Sequence, residues 1–225
     1  MANIEHIIES RLLELTARYP ELASVREDIK KAYLILKDCY DNGGKLMIAG
    51  NGGSCSDAQH IVGELMKGFC KRRELPTELK DKMDGYQASM EGCFPEGMGP
   101  VSDKLQLSLQ AIALSDHQSL NTAFANDVSS ELCFAQQVMG YGRKGDVLLL
   151  ISTSGNSRNL LYTVPVAKAL GIKVLALTGK DGGRLAGLSD AAIIAPQQET
   201  YKIQELHLPI YHCLCLMLED TYFEA

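Results

Sequence analysis

The chain has no stretch of about 18 apolar residues, which is the length needed to cross a bilayer. Its first 20 residues carry Glu5 and Glu9 among periodic apolar positions. They therefore lack both the basic start and the continuous apolar segment of a secretory signal. We expect a protein that is neither inserted in a membrane nor exported, and we place it in the cytoplasm.

The chain also lacks an excess of basic residues. The 225 residues include 22 Lys and Arg against 28 Asp and Glu, a formal net charge of -6. This balance argues against a broad basic surface for nucleic acid or anionic membranes. A local pocket for a small phosphorylated metabolite remains compatible with it.

The seven cysteines form neither a paired CxxC zinc motif nor an even disulfide framework. Their number is odd and their spacing irregular. Reduced thiols in a cytosolic protein fit this pattern best.

Short, almost uniformly apolar segments alternate with helical patterns along most of the chain. Strands that are apolar along their whole length are covered on both faces, as in a parallel sheet between helices. The predicted strands are 46–50, 111–115, 147–152, 174–179 and 191–195, and the predicted helices are 2–18, 25–41, 54–69, 129–141, 157–170 and 199–222. The fold class is therefore α/β, a doubly wound parallel sheet flanked by helices.

We expect one domain over residues 1–225, because this length and apolar content suit a single large α/β core. It opens with a helical hairpin at 1–43 and is interrupted by an insertion at 70–108. The insertion is rich in charge, proline and glycine, which predicts a short helix inside a long loop. Either a functional lid or a surface decoration fits this composition.

The first motif is Asn51-Gly52-Gly53-Ser54, where a predicted strand gives way to a helix. Glycines allow a tight turn there, and the free N–H groups of a helix start favour a phosphate or another polar oxygen. An ordinary turn capped by a serine is the alternative.

A second run, Ser152-Thr153-Ser154-Gly155-Asn156-Ser157, again follows an apolar strand and precedes a helical pattern. Four hydroxyls in six residues exceed what a helix cap needs. Hydroxyls and helix-start amides can surround a phosphate without Arg or Lys. Neither run matches the glycine-rich loops of nucleotide-binding proteins, so nucleotide binding is disfavoured.

Two sets of polar side chains, each on a predicted helix, complete the pattern. His60 and Glu64 are four residues apart, on one face of the helix that follows the first turn. The last predicted helix contains Gln204, Glu205, His207 and His212, and Pro209 inside it should remove a hydrogen bond and bend it. Such groups in a buried helix are costly unless they are used. The alternatives are a surface hydrogen bond or a satisfied core group for the His60/Glu64 pair, and a histidine at the core boundary for the last helix.

Together these residues resemble the phosphoheptose isomerases of the SIS (sugar isomerase) superfamily. The STSGNS run alone indicates only the superfamily, whereas His60 and Glu64 combined with IQELH and His212 are more specific. The segments that carry the resemblance, in the same order as in the family, are AGNGGSCSDAQHIVGEL (49–65), ANDVS (125–129), GDVLLLISTSGNSRNLL (145–161), VLALTGKDGG (174–183) and IQELHLPIYHCL (203–214).

The resemblance implies an SIS-type, flavodoxin-like fold, a homotetramer with active sites between subunits, and a sugar-phosphate substrate, sedoheptulose 7-phosphate. It implies Glu64 as general base and His212 as its partner acid or base in an aldose–ketose isomerisation through an enediol. It implies zinc held by His60, Glu64, Gln204 and His212. The residues it implies for substrate binding are Asn51, Gly52, Gly53, Ser54, Glu64, Asn126, Asp127, Ser152, Thr153, Ser154, Ser157 and Gln204.

Two features depart from the family pattern. The insertion at 70–108 is longer than the usual connection, and Tyr201 stands where some members carry an acidic residue. Both leave open another sugar phosphate as substrate. A non-catalytic SIS protein, which binds a sugar phosphate or a replication initiator, is the other alternative, but it would not need Glu64 and His212.

Overall fold

The computed structural model describes residues 4–90, 92–95 and 97–223. The chain opens with two helices, α1 (Ile4–Arg18) and α2 (Arg26–Asp41), joined by a 3-10 turn at Pro20–Val25. Each buries one apolar face in the core. The hairpin predicted from helical spacing is confirmed, with residues 2 and 3 of the first predicted helix outside the described residues.

The centre of the fold is a five-stranded, fully parallel sheet in the order β2-β1-β3-β4-β5. Its strands are β1 (Leu46–Gly50), β2 (Ala111–Ala113), β3 (Val147–Ser152), β4 (Lys173–Thr178) and β5 (Ala191–Ile194). β1 and β3 are buried at every position, which explains why their sequences are apolar throughout. The strand order reverses beside β1, so the crevice at the carboxyl ends of β1 and β3 is where this class of sheet binds ligands.

Helices cover both faces of the sheet. On one face, α1, α2 and two later helices share a core with Ile48 and Leu149. On the other face, four helices between residues 133 and 188 pack against Met47 and Leu148. The remaining helices are α3 (Gly53–Met66), α4 (Thr77–Ser89), α5 (Gln118–Phe124), α6 (Cys133–Tyr141), α7 (Arg158–Leu161), α8 (Thr163–Ala169), α9 (Gly183–Leu188) and α10 (Thr200–Tyr222), with α3 and α10 on the first face. Within the described ranges, no helix is long and apolar enough to cross a membrane.

Several predicted elements differ in detail, among them α3, which ends at Met66 and not at residue 69. The single helix expected over 157–170 is divided into α7 and α8. The break occurs because Pro165 has no N–H to donate to the carbonyl of Leu161, and because a proline is best accommodated in the first turn of a helix, here that of α8. The helix expected over 129–141 begins at Cys133, and a π-helical segment, Ala125–Ser129, precedes it. Finally, β2 ends at Ala113, two residues early. α10 continues as one helix through Pro209, so the predicted bend stays a prediction.

The insertion contains the short helix that its sequence predicts. α4 buries none of its side chains, and a 3-10 turn follows at Val101–Asp103. The segment is closed at its base, where the Leu107 amide donates to the carbonyl of Arg73 at 2.8 Å. It therefore leaves and rejoins the body at the end of α3.

Candidate active site

The first loop of the site joins β1 to α3. Gly52 has φ of 56° and ψ of -123°, a conformation that favours glycine. The amide of Ser54 donates to the carbonyl of Asn51, and no side chain caps the helix, so the alternative of a serine-capped turn does not describe this loop. A Cβ on Gly53 would lie 2.5 Å from Nε2 of Gln204, so the absence of a side chain lets α10 approach.

The second loop follows β3 and is held by its own hydroxyls. The Oγ atoms of Ser152 and Ser157 lie 3.0 Å apart, and the Asn156 amide donates to Oγ of Ser154 at 3.3 Å. Gly155 has φ of 61°, where a side chain would be strained. The loop is braced by α9, since the Leu185 amide donates to the carbonyl of Gly155 at 3.0 Å.

Both loops and the start of α10 line one cavity of about 330 Å³, which we call the hydroxyl cavity. Its lining carries no charged side chain, so an anion there would be held by hydroxyls, amides and backbone N–H groups. The residues that line it are Asn51, Gly52, Gly53, Ser54, Ile151, Ser152, Thr153, Ser154, Ser157, Thr200 and Gln204. The structure thus brings together nine of the predicted site residues.

A second group lies further along α3 and α10, and we call it the histidine cluster: His60, Glu64, Tyr211 and His212. Nε2 of His60 is 3.2 Å from a carboxylate oxygen of Glu64, and its Nδ1 is 2.9 Å from the hydroxyl of Tyr211. The rings of His60 and His212 are edge to face, with centroids 5.0 Å apart. Glu64 also pairs with Lys67 at 3.0 Å.

His212 is poised as a neutral imidazole. Its Nε2 is buried and has no hydrogen-bond partner. Burial lowers the pKa of His212 below its usual value and His60 adds to this, while Glu64 opposes it. A neutral imidazole with a free nitrogen can take or give a proton, or bind a metal. Among the described residues, however, no three His, Cys, Asp or Glu side chains are already arranged to hold a metal ion.

The hydroxyl cavity and the histidine cluster are separated along α3. His60 follows Gly53 by seven positions, which corresponds to about 10 Å of helix. A seven-carbon chain with single bonds of about 1.5 Å spans a comparable length. A sugar phosphate with its phosphate among the hydroxyls would therefore bring its far end to the level of the cluster.

Two predicted substrate contacts lie elsewhere in this chain. Asn126 and Asp127 are exposed on the π-helical segment, where the Asn126 amide donates to Asp127 at 2.8 Å. They do not line the hydroxyl cavity. Their role in binding the sugar stays a prediction, as do the catalytic roles of Glu64 and His212.

Several residues of this region were not predicted from the sequence. Asn159 forms two amide hydrogen bonds with Asn51, at 3.0 and 2.8 Å, and so fixes the first loop against α7. Tyr211 links His60 to Asp57, at 3.5 Å from the latter. The signal for Asp57 was available, because it stands three residues before His60 on the same helical face.

His207 is a structural histidine rather than part of the cluster. It is fully buried, and its Nε2 donates to the carbonyl of Thr178 at the end of β4, at 3.0 Å. Burial lowers its pKa to about 4, so it stays neutral at physiological pH. It lies inside the core rather than at its boundary, and its Nδ1 is buried without a hydrogen-bond partner.

Asp57 makes the stability of the chain depend on pH. Burial raises its pKa to about 6, against the weaker opposing effects of Tyr211 and His60, and one carboxylate oxygen has no partner. The native state therefore keeps a proton that the unfolded chain loses between about pH 4 and pH 6, so this residue lowers stability as pH rises through that window. With its partial exposure discounted, the cost above pH 6 is about 1–2 kcal/mol.

We predict that Asp57→Asn raises Tm by a few degrees at about pH 7.5 and leaves it unchanged at about pH 4. Thermal unfolding of the metal-free protein at both pH values would measure this. A gain of equal size at both pH values would show that the charge of Asp57 is not the cause.

Comparison with known proteins supports one family. The SIS domain model matches residues 119–217. A phosphoheptose isomerase from Nitratiruptor sp. is 40% identical over 220 residues, covering 97% of this chain and all of the relative. Solved phosphoheptose isomerases from Neisseria gonorrhoeae and Francisella tularensis are each 30% identical, with TM-scores of 0.68 and 0.69, and cover 95% and 97% of this chain and 97% and 98% of theirs.

Proposed function

The chain belongs to the phosphoheptose isomerase family, and from this membership we propose that it interconverts sedoheptulose 7-phosphate and D-glycero-D-manno-heptose 7-phosphate. The observation that carries the proposal is the spacing of two groups: an uncharged, hydroxyl-lined cavity and a carboxylate–imidazole cluster about 10 Å further along the same helix. One suits the phosphate and the other suits acid–base chemistry at C1 and C2.

The reaction is an aldose–ketose isomerisation through an enediol. Glu64 removes the proton from one of the two carbons and returns it to the other. His212 moves the proton between the two sugar oxygens, and its lowered pKa keeps it neutral and able to act in both directions. Each well-placed acid or base contributes about 10²–10⁴-fold to the rate. The hydroxyl cavity holds the phosphate, which fixes the register of the carbon chain.

We also propose that His60, Glu64, Gln204 and His212 bind zinc, which would polarise the sugar carbonyl as a Lewis acid. Three observations favour His60, Glu64 and His212 as ligands, whereas Gln204 lines the hydroxyl cavity of the same chain and its part in the set rests on the family alone. Nε2 of His212 is buried without a partner, and Tyr211 contacts the other nitrogen of His60, as outer groups do for metal-bound imidazoles. Nε2 of His60 and Oε1 of Glu64 are 3.2 Å apart, which is close to the roughly 3.3 Å between neighbouring ligand atoms around a tetrahedral zinc.

We predict that the purified protein contains about one zinc per chain and that His212→Ala lowers this content at least tenfold. His207→Gln is the matched control, because His207 lies on the same helix and bonds to a carbonyl instead. Elemental analysis after dialysis measures both. Equal zinc in the wild type and His212→Ala would contradict this ligand set.

We further propose a homotetramer with sites between subunits, in the cytoplasm. The side chain of His60 is 43% exposed, and Asn126 and Asp127 are exposed and do not line the hydroxyl cavity, so a single chain leaves the site open. All seven cysteines are free thiols, which suits a reducing compartment. Native mass spectrometry, in which the tetramer should be the main species, tests the assembly.

The substrate is tested with a panel of C5 to C7 sugar phosphates, followed by NMR with and without a chelator. We expect conversion of the C7 ketose in preference to the C5 and C6 ketoses. Preference for a shorter sugar would contradict the proposed substrate. Binding of these sugars without conversion of any of them would show that the protein is not an isomerase.

A further inference from the structure

A buried ion pair lies directly behind the histidine cluster. The side chains of Arg73 and Glu219 are 0% and 1% exposed, and a guanidinium nitrogen is 3.0 Å from a carboxylate oxygen. Arg73 comes from the base of the insertion and Glu219 from α10. A buried pair of charges is a costly way to gain stability, which raises the question of what it does.

Arg73 is bonded to the backbone that carries Glu64. Its guanidinium donates to the carbonyls of Glu64 and Leu65, the former at 2.9 Å. These belong to the last turn of α3, whose carbonyls have no partner within the helix. A cation there also complements the helix dipole. The position of the Glu64 main chain is therefore set by Arg73.

Glu219 reaches the other side of the cluster. Its two oxygens accept from the amides of Phe69 and Cys70, both at 2.8 Å, and the ring of Phe69 contacts that of His212 with centroids 5.3 Å apart. Burial acts to raise the pKa of Glu219, but hydrogen bonds from these amides and from Arg73 outweigh it and hold that pKa below its usual value. The carboxylate is thus charged.

We propose that Arg73 and Glu219 are positioning residues for the isomerase. The hydrogen-bond network of this ion pair fixes the backbone of Glu64 on α3. Through Phe69 it also fixes the ring of His212 on α10. This inference rests on the proposed function, because it assigns the pair to the reaction of Glu64 and His212. It also assigns a role to the base of the insertion, which contributes Arg73.

The test uses the double variant Arg73→Met/Glu219→Gln, which removes both charges together and so avoids an unpaired buried ion. We expect kcat to fall about 10²-fold, the effect of a misplacement of about 1 Å, with KM little changed because the hydroxyl cavity is remote. Arg73→Met alone should also lower Tm by about 10 °C, since it leaves Glu219 charged and unpaired.

The matched control is Lys45→Met/Asp146→Asn. Lys45 and Asp146 form another largely buried pair, at 2.6 Å, where β1 and β3 begin. The control should change Tm and leave kcat at the wild-type value. If the Arg73/Glu219 double variant keeps the wild-type kcat, or loses it only as much as the control does, the pair is structural and the inference is wrong.

A crystal structure of the Arg73→Met/Glu219→Gln protein separates this inference from the proposed function. We expect Glu64 to move away from His60 and Phe69 to move away from His212, and unchanged positions would overturn the inference. A wild-type protein without heptose phosphate isomerase activity would instead overturn the proposed function, and the positions of these side chains would still decide whether the pair holds the cluster.

Discussion

Glu64→Gln should lower kcat for sedoheptulose 7-phosphate by about 10²–10⁴-fold and leave KM nearly unchanged. Glutamine has the shape of glutamate but cannot take a proton from carbon. Binding should persist, because the hydroxyl cavity lies about 10 Å away and is not altered. Steady-state kinetics of the purified variant would measure both constants.

Glu205→Gln is the matched control. Glu205 is exposed on α10, next to Gln204, and the same chemical change there should have no effect on kcat. Zinc content should be determined in both proteins, because Glu64 is also a proposed ligand. A Glu64→Gln enzyme with the wild-type kcat would remove the basis for the proposed mechanism.

Gly155→Ala should damage both stability and substrate binding. Gly155 has φ of 61°, and a Cβ at this position would collide with the backbone carbonyl of Gly182. Backbone cannot rotate away as the end of a side chain can, and the left-handed conformation adds its own cost. We expect the free energy of unfolding to fall by at least about 2 kcal/mol and Tm to fall by about 5 °C or more. KM should increase, because the loop that follows β3 is displaced.

Gly187→Ala provides the comparison. Gly187 lies in α9, close in sequence to the turn that meets Gly155, but a Cβ there would contact nothing. Alanine in a helix is favoured over glycine by about 0.5–1 kcal/mol, so Tm should stay the same or rise slightly. Thermal unfolding and steady-state kinetics of the two variants test the difference. A Gly155→Ala protein as stable and active as Gly187→Ala would show that this loop is not rigid.

The sheet could be predicted from the sequence because buried parallel strands are apolar at every position. All five strands were found, with ends within two residues, whereas the short helices α5 and α9 were not predicted. The break between α7 and α8 could have been anticipated from Pro165, whose missing N–H ends a helical hydrogen-bond ladder. The π-helical segment, Ala125–Ser129, has no comparable signal, since its residues also suit an α-helix or a loop.

The site was only partly accessible from the sequence. The two hydroxyl-rich runs each follow a neighbouring strand, and parallel strands end at the same edge, so their meeting follows from topology. The approach of Gln204 to Gly53 and of His212 to His60 depends on how α10 packs beside α3. The roles of Tyr211, Asn159 and Arg73 depend on the same packing, and no local pattern in the sequence encodes it.

The most direct test of the central claim is isomerisation in deuterated water. If Glu64 moves a proton through an enediol, it can exchange that proton with solvent while the enediol exists. The account predicts that heptose phosphate formed by the wild-type protein from sedoheptulose 7-phosphate carries deuterium at C2 by NMR, and that Glu64→Gln forms almost no product. A wild-type product without deuterium, together with product formation by Glu64→Gln at the wild-type rate, would contradict it, because the hydrogen could then pass between the two carbons without Glu64.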